Sequence, residues 1–151
     1  MSALHVVFTV AGNHYVLAAS DVLHMESFSG ATVVPGAAAY VAGLVQIRGA
    51  VIPVVDVRVR FGLPTVERAL ENRVVVVQSG TRAVGLLVDS ARDVVKLAPE
   101  QFRPPPEMVA RQAAGFVKAV VQSGPRLLLL MDFHKVIGED ALHGEQRQSQ
   151  L

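Results

Sequence analysis

Three apolar runs each end on an aspartate: Pro-Val-Val-Asp at Asp56, Leu-Leu-Val-Asp at Asp89 and Leu-Leu-Met-Asp at Asp132. Two such carboxylates in one cleft would split their pKa values and support general acid/base work. Asp at a strand end more often stops the strand and accepts local turn hydrogen bonds. The Val-Asp-Ser-Ala around Asp89 also lacks the glycine of an aspartic-protease turn. Arg48 stands beside Gly49 between two strongly apolar runs, so its guanidinium is expected to be held by backbone carbonyls or by an internal carboxylate, Asp56 foremost. Arg58 and Arg60 continue an apolar run at alternate positions and are expected on the solvated face of a strand. The five histidines never fall at i, i+4 around a glutamate, so no metal cage is read, and His5 and His14 are expected on the solvent side of a first hairpin. There is no Gly-x-Ser-x-Gly elbow, phosphate-cradling glycine loop or dinucleotide fingerprint. No catalytic residue, cofactor or metal is expected.

The chain has 151 residues, enough for one compact unit or two small fused ones without disulfides, and it contains no cysteine. Fourteen basic and thirteen acidic residues leave a formal charge of +1, which gives no long-range attraction to a polyphosphate or an anionic membrane. With two Tyr, six Phe and no basic stretch interleaved with aromatics, a nucleic-acid stacking platform is poorly supported. The first residues lack a basic n-region before an early turn signal, and the most apolar window, 31–45, is broken by Pro35, Gly36 and Gly43. The expectation is a cytoplasmic protein that does not insert into membranes.

Short Val-, Leu- and Ile-rich runs separated by turn residues predict an all-β fold. Leu4–Val10 and His14–Ala18 flank Ala11-Gly12-Asn13 as a first hairpin, and Gln-Ser-Gly at 78–80 and again at 122–124 marks two more. Pro53 removes a ladder donor and places its strand at an edge or a bulge. Short helices are expected at Gly36–Tyr40 and at Phe133–Ile137, the second capped by Asp132. Residues 99–108, with Pro104, Pro105 and Pro106, are expected to be an extended connector that joins without packing. A single domain is read over residues 1–140, followed by a disordered tail, 141–151.

Val-Ala-Gly-Leu-Val-Gln-Ile-Arg-Gly-Ala-Val-Ile-Pro-Val-Val-Asp-Val-Arg-Val-Arg-Phe-Gly, residues 41–62, resembles the core motif of CheW-like chemotaxis coupling domains. Gly43, Arg48, Gly49, Pro53, Asp56, Arg58 and Phe61 fall on its marked positions. The segments YVLAASDVLHM, AVGLLVDSARDVV, PEQFRPPPE and RLLLLMDFHKVI are similar to further family elements in the same order, from about Phe8 to Ile137. The resemblance implies two intertwined five-stranded SH3-like β-barrel subdomains with a hydrophobic seam and short helices, one of them near the C-terminus. It also implies a non-catalytic adaptor joining the regulatory domain of a CheA-type histidine kinase to the cytoplasmic tip of chemoreceptors in membrane-associated arrays, with ring contacts to copies of itself as a further partner. By position, the receptor-binding groove would comprise Val22, His24, Gly43, Arg48, Val74 and Val94, with Gly49, Pro53, Asp56, Arg58 and Phe61 forming the structural motif. Where the family usually has Asn, Gly, Gly and an acidic residue, this chain has Gln46, Val16, Ala119 and His24. A specialised adaptor for a dedicated pathway fits these differences; so does a diverged domain that has exchanged its kinase or its receptor for another partner. A small acid/base enzyme using Asp56 and Asp89 and a ligand-binding barrel are the competing classes.

Overall fold

The computed structural model describes residues 1–108 and 115–138, with Arg92 described by its backbone alone. Among the described residues, ten strands form two five-stranded sheets. The first hairpin is β1 (Ala3–Val10) and β2 (Asn13–Ala18). The middle of the chain gives β3 (Val22–Ser27), β4 (Val41–Ile47), β5 (Ala50–Asp56), a helical turn α1 (Val57–Arg60), β6 (Arg73–Ser79) and β7 (Arg82–Val88). The chain then returns through β8 (Ser90–Leu97), β9 (Val117–Ser123) and β10 (Arg126–Met131) to α2 (Phe133–Ile137). One sheet runs β8-β1-β2-β10-β9 and the other β3-β6-β7-β5-β4, so the N-terminal hairpin and the C-terminal strands enclose the middle segment in the chain order. This is the expected all-β, intertwined arrangement, and all three expected hairpins are present.

The uninterrupted apolar runs follow from burial on both faces, because successive side chains on a strand point opposite ways. In β6, Val75 and Val77 enter a central core shared by the two sheets, while Val74 and Val76 enter a core private to the second sheet with Ile52 and Val54. The first sheet divides in the same way: Phe8, Val10, Tyr15 and Leu17 face the shared core, and Val7, Val16, Val121 and Leu128 face a private one. Val16, where a small residue was the expected pattern, is filled space in that private core, fully buried.

Several local expectations give way to tertiary contacts. Gly36–Tyr40 forms turns and no helix, since Gly36 takes a φ of 83° beside Pro35. Arg58 and Arg60 do not continue a strand: the Asp56 side chain accepts from the Val59 N–H at 3.3 Å and turns the chain into α1. Asp132 caps α2 in the same manner through the Lys135 N–H, as expected. Pro53 lies in β5, an interior strand, just before the stretch Val54–Asp56 that pairs in parallel with β7. A residue without an N–H is tolerated there because that side of the ladder has not yet begun. The connector after β8 also packs: Pro99–Gln101 is a 3₁₀ turn, and Arg103 exchanges both backbone bonds with Val120 at 2.8 and 2.9 Å, covering the free edge of β9. His5 is buried, not solvated, because Phe102 from this connector lies against its ring at 5.4 Å and its Nδ1 is 3.0 Å from the Ala3 carbonyl. The tail expected at 141–151 lies outside the described residues.

Candidate functional site

Arg48 and Gly49 form the tip of the β4–β5 hairpin, both with positive φ, 52° and 81°, the geometry of a two-residue turn that follows strand twist. That tip aims Arg48 away from Asp56, which sits at the far end of β5. The expected Arg48–Asp56 pair is therefore absent, and the Arg48 Nε meets Glu26 Oε1 on β3 at 3.1 Å. The side chains remain 67% and 30% exposed, so this contact is a surface pair.

Gly43 has a stricter role than shaping a turn. It lies in β4 at a register shift, with a φ of 141°, and a Cβ there would run into the Thr32 carbonyl. Only glycine lets Thr32 cross this closely and bond Leu44 in both directions at 2.8 Å. The Thr32–Leu44 bridge and the Arg48–Glu26 pair together bring the two edge strands of the second sheet, β3 and β4, toward each other.

The second charged centre joins the sheets. Arg58, from α1, donates through Nε and Nη2 to the two oxygens of Asp89 at 2.9 and 2.7 Å. The Ala11 N–H, in the first hairpin turn, donates to the same carboxylate at 2.8 Å, and Asn72 Nδ2 donates to the Asp89 carbonyl. Burial on its own would raise the Asp89 carboxyl; the hydrogen bonds from Arg58 and Ala11 and the arginine's charge outweigh it and hold it below its ordinary value. The bond to Asp89 also raises Arg58, against a smaller effect of burial. An aspartate held ionised in this way is the opposite of a general acid, and Asp56 caps α1 through Oδ1. Arg58 thus occupies both oxygens of Asp89, the carboxylate that an acid/base pairing with Asp56 would need free.

Phe61 sits beside this junction in a run of rings, 5.7 Å from Tyr15 and 5.1 Å from Phe116. Arg60 lies over Tyr40 at 4.4 Å and Phe116 at 5.1 Å and donates to the carbonyls of Val136 and Lys135. It ties α1 to α2, a role that its sequence position beside Arg58 did not reveal. Among the described residues no cluster of three His, Asp or Glu side chains could hold a metal, and no helix is long and apolar enough to cross a membrane.

Of the residues assigned to a binding groove, five share the second sheet. Val22 and His24 lie half-buried on edge strand β3, and Gly43 and Arg48 on the facing β4–β5 hairpin. Val74 is 1% exposed, beneath Gly85 on β7, and supports the sheet from inside. Val94 is 54% exposed on β8, an edge of the first sheet, opposite Val6. Glu26 and Asp89 are the partners that sequence reading missed; neither neighbours its arginine in the chain, and strand order alone brings them together.

Comparison with known proteins agrees with this arrangement. The chemotaxis protein CheW of Bacillus subtilis is 31% identical over 136 residues, covering 90% of this chain and 87% of the relative. That of Klebsiella aerogenes is 28% identical over 136 residues, 90% and 82%. The crystal structure of the scaffolding protein TtCheW from Thermoanaerobacter tengcongensis superimposes with a TM-score of 0.82 at 26% identity, covering 90% of this chain and 88% of that one. The family model for the CheW-like domain matches residues 4–141, nearly the whole of the two sheets and their junction, and the chain belongs to the CheW-like domain family.

Proposed function

We propose that this domain is a non-catalytic chemosensory adaptor that couples the cytoplasmic tip of a chemoreceptor to the regulatory domain of a CheA-type histidine kinase. The family match over residues 4–141 carries the reading. The geometry supports it by offering two separate faces. On the first sheet, Leu4 and Val94 are diagonal neighbours across β1 and β8, 49% and 54% exposed. On the second, Leu23 and Met25 project from edge strand β3, each 44% exposed. Apolar centres with charged rims are the usual composition of such contacts.

In this reading Val22, His24 and Arg48 touch the receptor, Gly43 and Val74 hold the backbone beneath them, and Val94 contributes from the other sheet. His24 stands where the family usually carries an acidic residue, so the acceptor that a carboxylate would offer the receptor is replaced by an imidazole. The domain works in the cytoplasm, recruited to membrane-associated arrays in which many small contacts, including ring contacts with copies of itself, add through multivalency.

Calorimetric titration with the kinase regulatory domain, repeated with a receptor-tip fragment, tests the proposal. Binding to both, each weakened by substitutions on a different face, is the expected result. Binding to one alone overturns the coupling role. Receptor binding by His24→Glu with unchanged strength removes His24 from the contact.

A further inference from the structure

Strand β4 pairs with β5 on one side and faces the 27–32 segment on the other. Leu44 exchanges both of its backbone bonds with Thr32, so its N–H and C=O point away from β5. Backbone direction alternates along a strand, and Gln46, two residues further in regular register opposite Val51, turns its own N–H and C=O to the same side. Among the described residues nothing meets them there. The reason is local: the chain leaves β3 at Ser27 and runs without regular structure from Phe28 to Ala31 before Thr32 returns to the sheet.

The result is a short window between β3 and β4, closed at one end by the Thr32–Leu44 bridge and at the other by Arg48–Glu26. It holds a cavity of about 430 Å³ lined by Phe28, Thr32, Leu44, Ile47 and Val74. Arg68 stands at its margin. Its guanidinium lies 5.3 Å from the centre of the Phe28 ring, with Nη1 3.0 Å from where a Cβ on Gly30 would be. Among the described residues no carboxylate or carbonyl meets this group.

We propose that the window is a docking slot for an extended acidic peptide segment of a partner protein, paired by backbone to Gln46 and by a carboxylate to Arg68. An outward donor and acceptor on one strand residue match an extended backbone. An unneutralised guanidinium placed over an aromatic ring selects a carboxylate. The backbone bridge between Thr32 and Leu44 stops the slot at one end, which limits it to a short segment and disfavours the long edge-to-edge pairing of a second copy. The slot borders the residues assigned to the receptor, sharing Val74 in its lining and Arg48 at one end, but its own ligand contacts are Gln46 and Arg68.

The test is an NMR titration of the full chain with an acetylated, amidated Val-Glu-Val-Glu-Val peptide, alongside its Gln and Lys counterparts. The expected result is a shift of the Gln46 amide, slowed exchange of its hydrogen, and affinity in the order Glu, Gln, Lys. Arg68→Ala, at an exposed position that leaves the fold intact, should weaken the acidic peptide about fivefold. The proposal is overturned if Gln46 does not respond, if the Lys peptide binds equally, or if Arg68→Ala changes nothing. It is also overturned if inorganic phosphate alone reproduces the shifts, or if sedimentation shows that self-association protects Gln46 without peptide.

Discussion

The Arg58–Asp89 and Arg48–Glu26 pairs use the same two kinds of charged group at different depths. At the junction, two donors of one guanidinium meet two oxygens of one carboxylate, the side chains are 19% and 25% exposed, and a backbone N–H from the other sheet joins them. Between β3 and the β4–β5 turn, one nitrogen meets one oxygen at 3.1 Å with the arginine largely in water. The first arrangement is costly to break because removing either partner strands a half-buried charge; the second is screened and exchanges easily with solvent. The difference separates a region that fixes how the sheets sit from one left open to solvent.

The largest effect should come from Asp89→Ala, which deletes the Arg58 pair and the acceptor for Ala11 together; a loss of about 3 kcal/mol in chemical denaturation is expected. A loss below about 1 kcal/mol would make the junction no stronger than the Arg48–Glu26 pair. Next, Gly43→Ala should cost about 2 kcal/mol, because it forces an L-residue into a positive-φ conformation against the Thr32 carbonyl. Loss of hydrogen-exchange protection at the Thr32 and Leu44 amides should accompany it.

The pH dependence sharpens the same contrast. Asp89 has a folded-state pKa below its unfolded value, so its stabilisation is complete above about pH 4 and is lost as pH falls through the folded value. The stability gap between the native protein and Asp89→Asn should therefore close on acidification below about pH 4, as read from denaturation curves at stepped pH. A gap that stayed constant would remove the ionised carboxylate from the account. The smallest effect is expected from Arg48→Ala, within about 1 kcal/mol and diminishing with added salt. A larger loss, insensitive to salt, would mean that Arg48 is held internally after all.

Much of the fold can be read in the chain. Apolar runs, Gly-containing turns and the absence of long helical periodicity point to strands and to three of the hairpins, and the Asp132 cap needs only its own neighbours. The 41–62 motif also marks Gly43, Arg48 and Arg58 as special positions. Their partners are not legible. Arg48 beside Gly49 looks like a group pulled inward to Asp56, yet the turn sends it outward to Glu26. His5 alternates with apolar residues as a solvated side chain would, until the connector lays Phe102 over it.

What the sequence determined on its own is which segments extend and where they turn, because these are settled by φ preferences and side-chain volume within a few residues. What only the tertiary structure decided is which charges meet and which edges stay open. Asp89 finds Arg58 across 31 positions and Glu26 finds Arg48 across 22. Such pairings depend on strand order, and strand order is set by how two interleaved sheets share one core, a property of the whole chain that no short stretch carries.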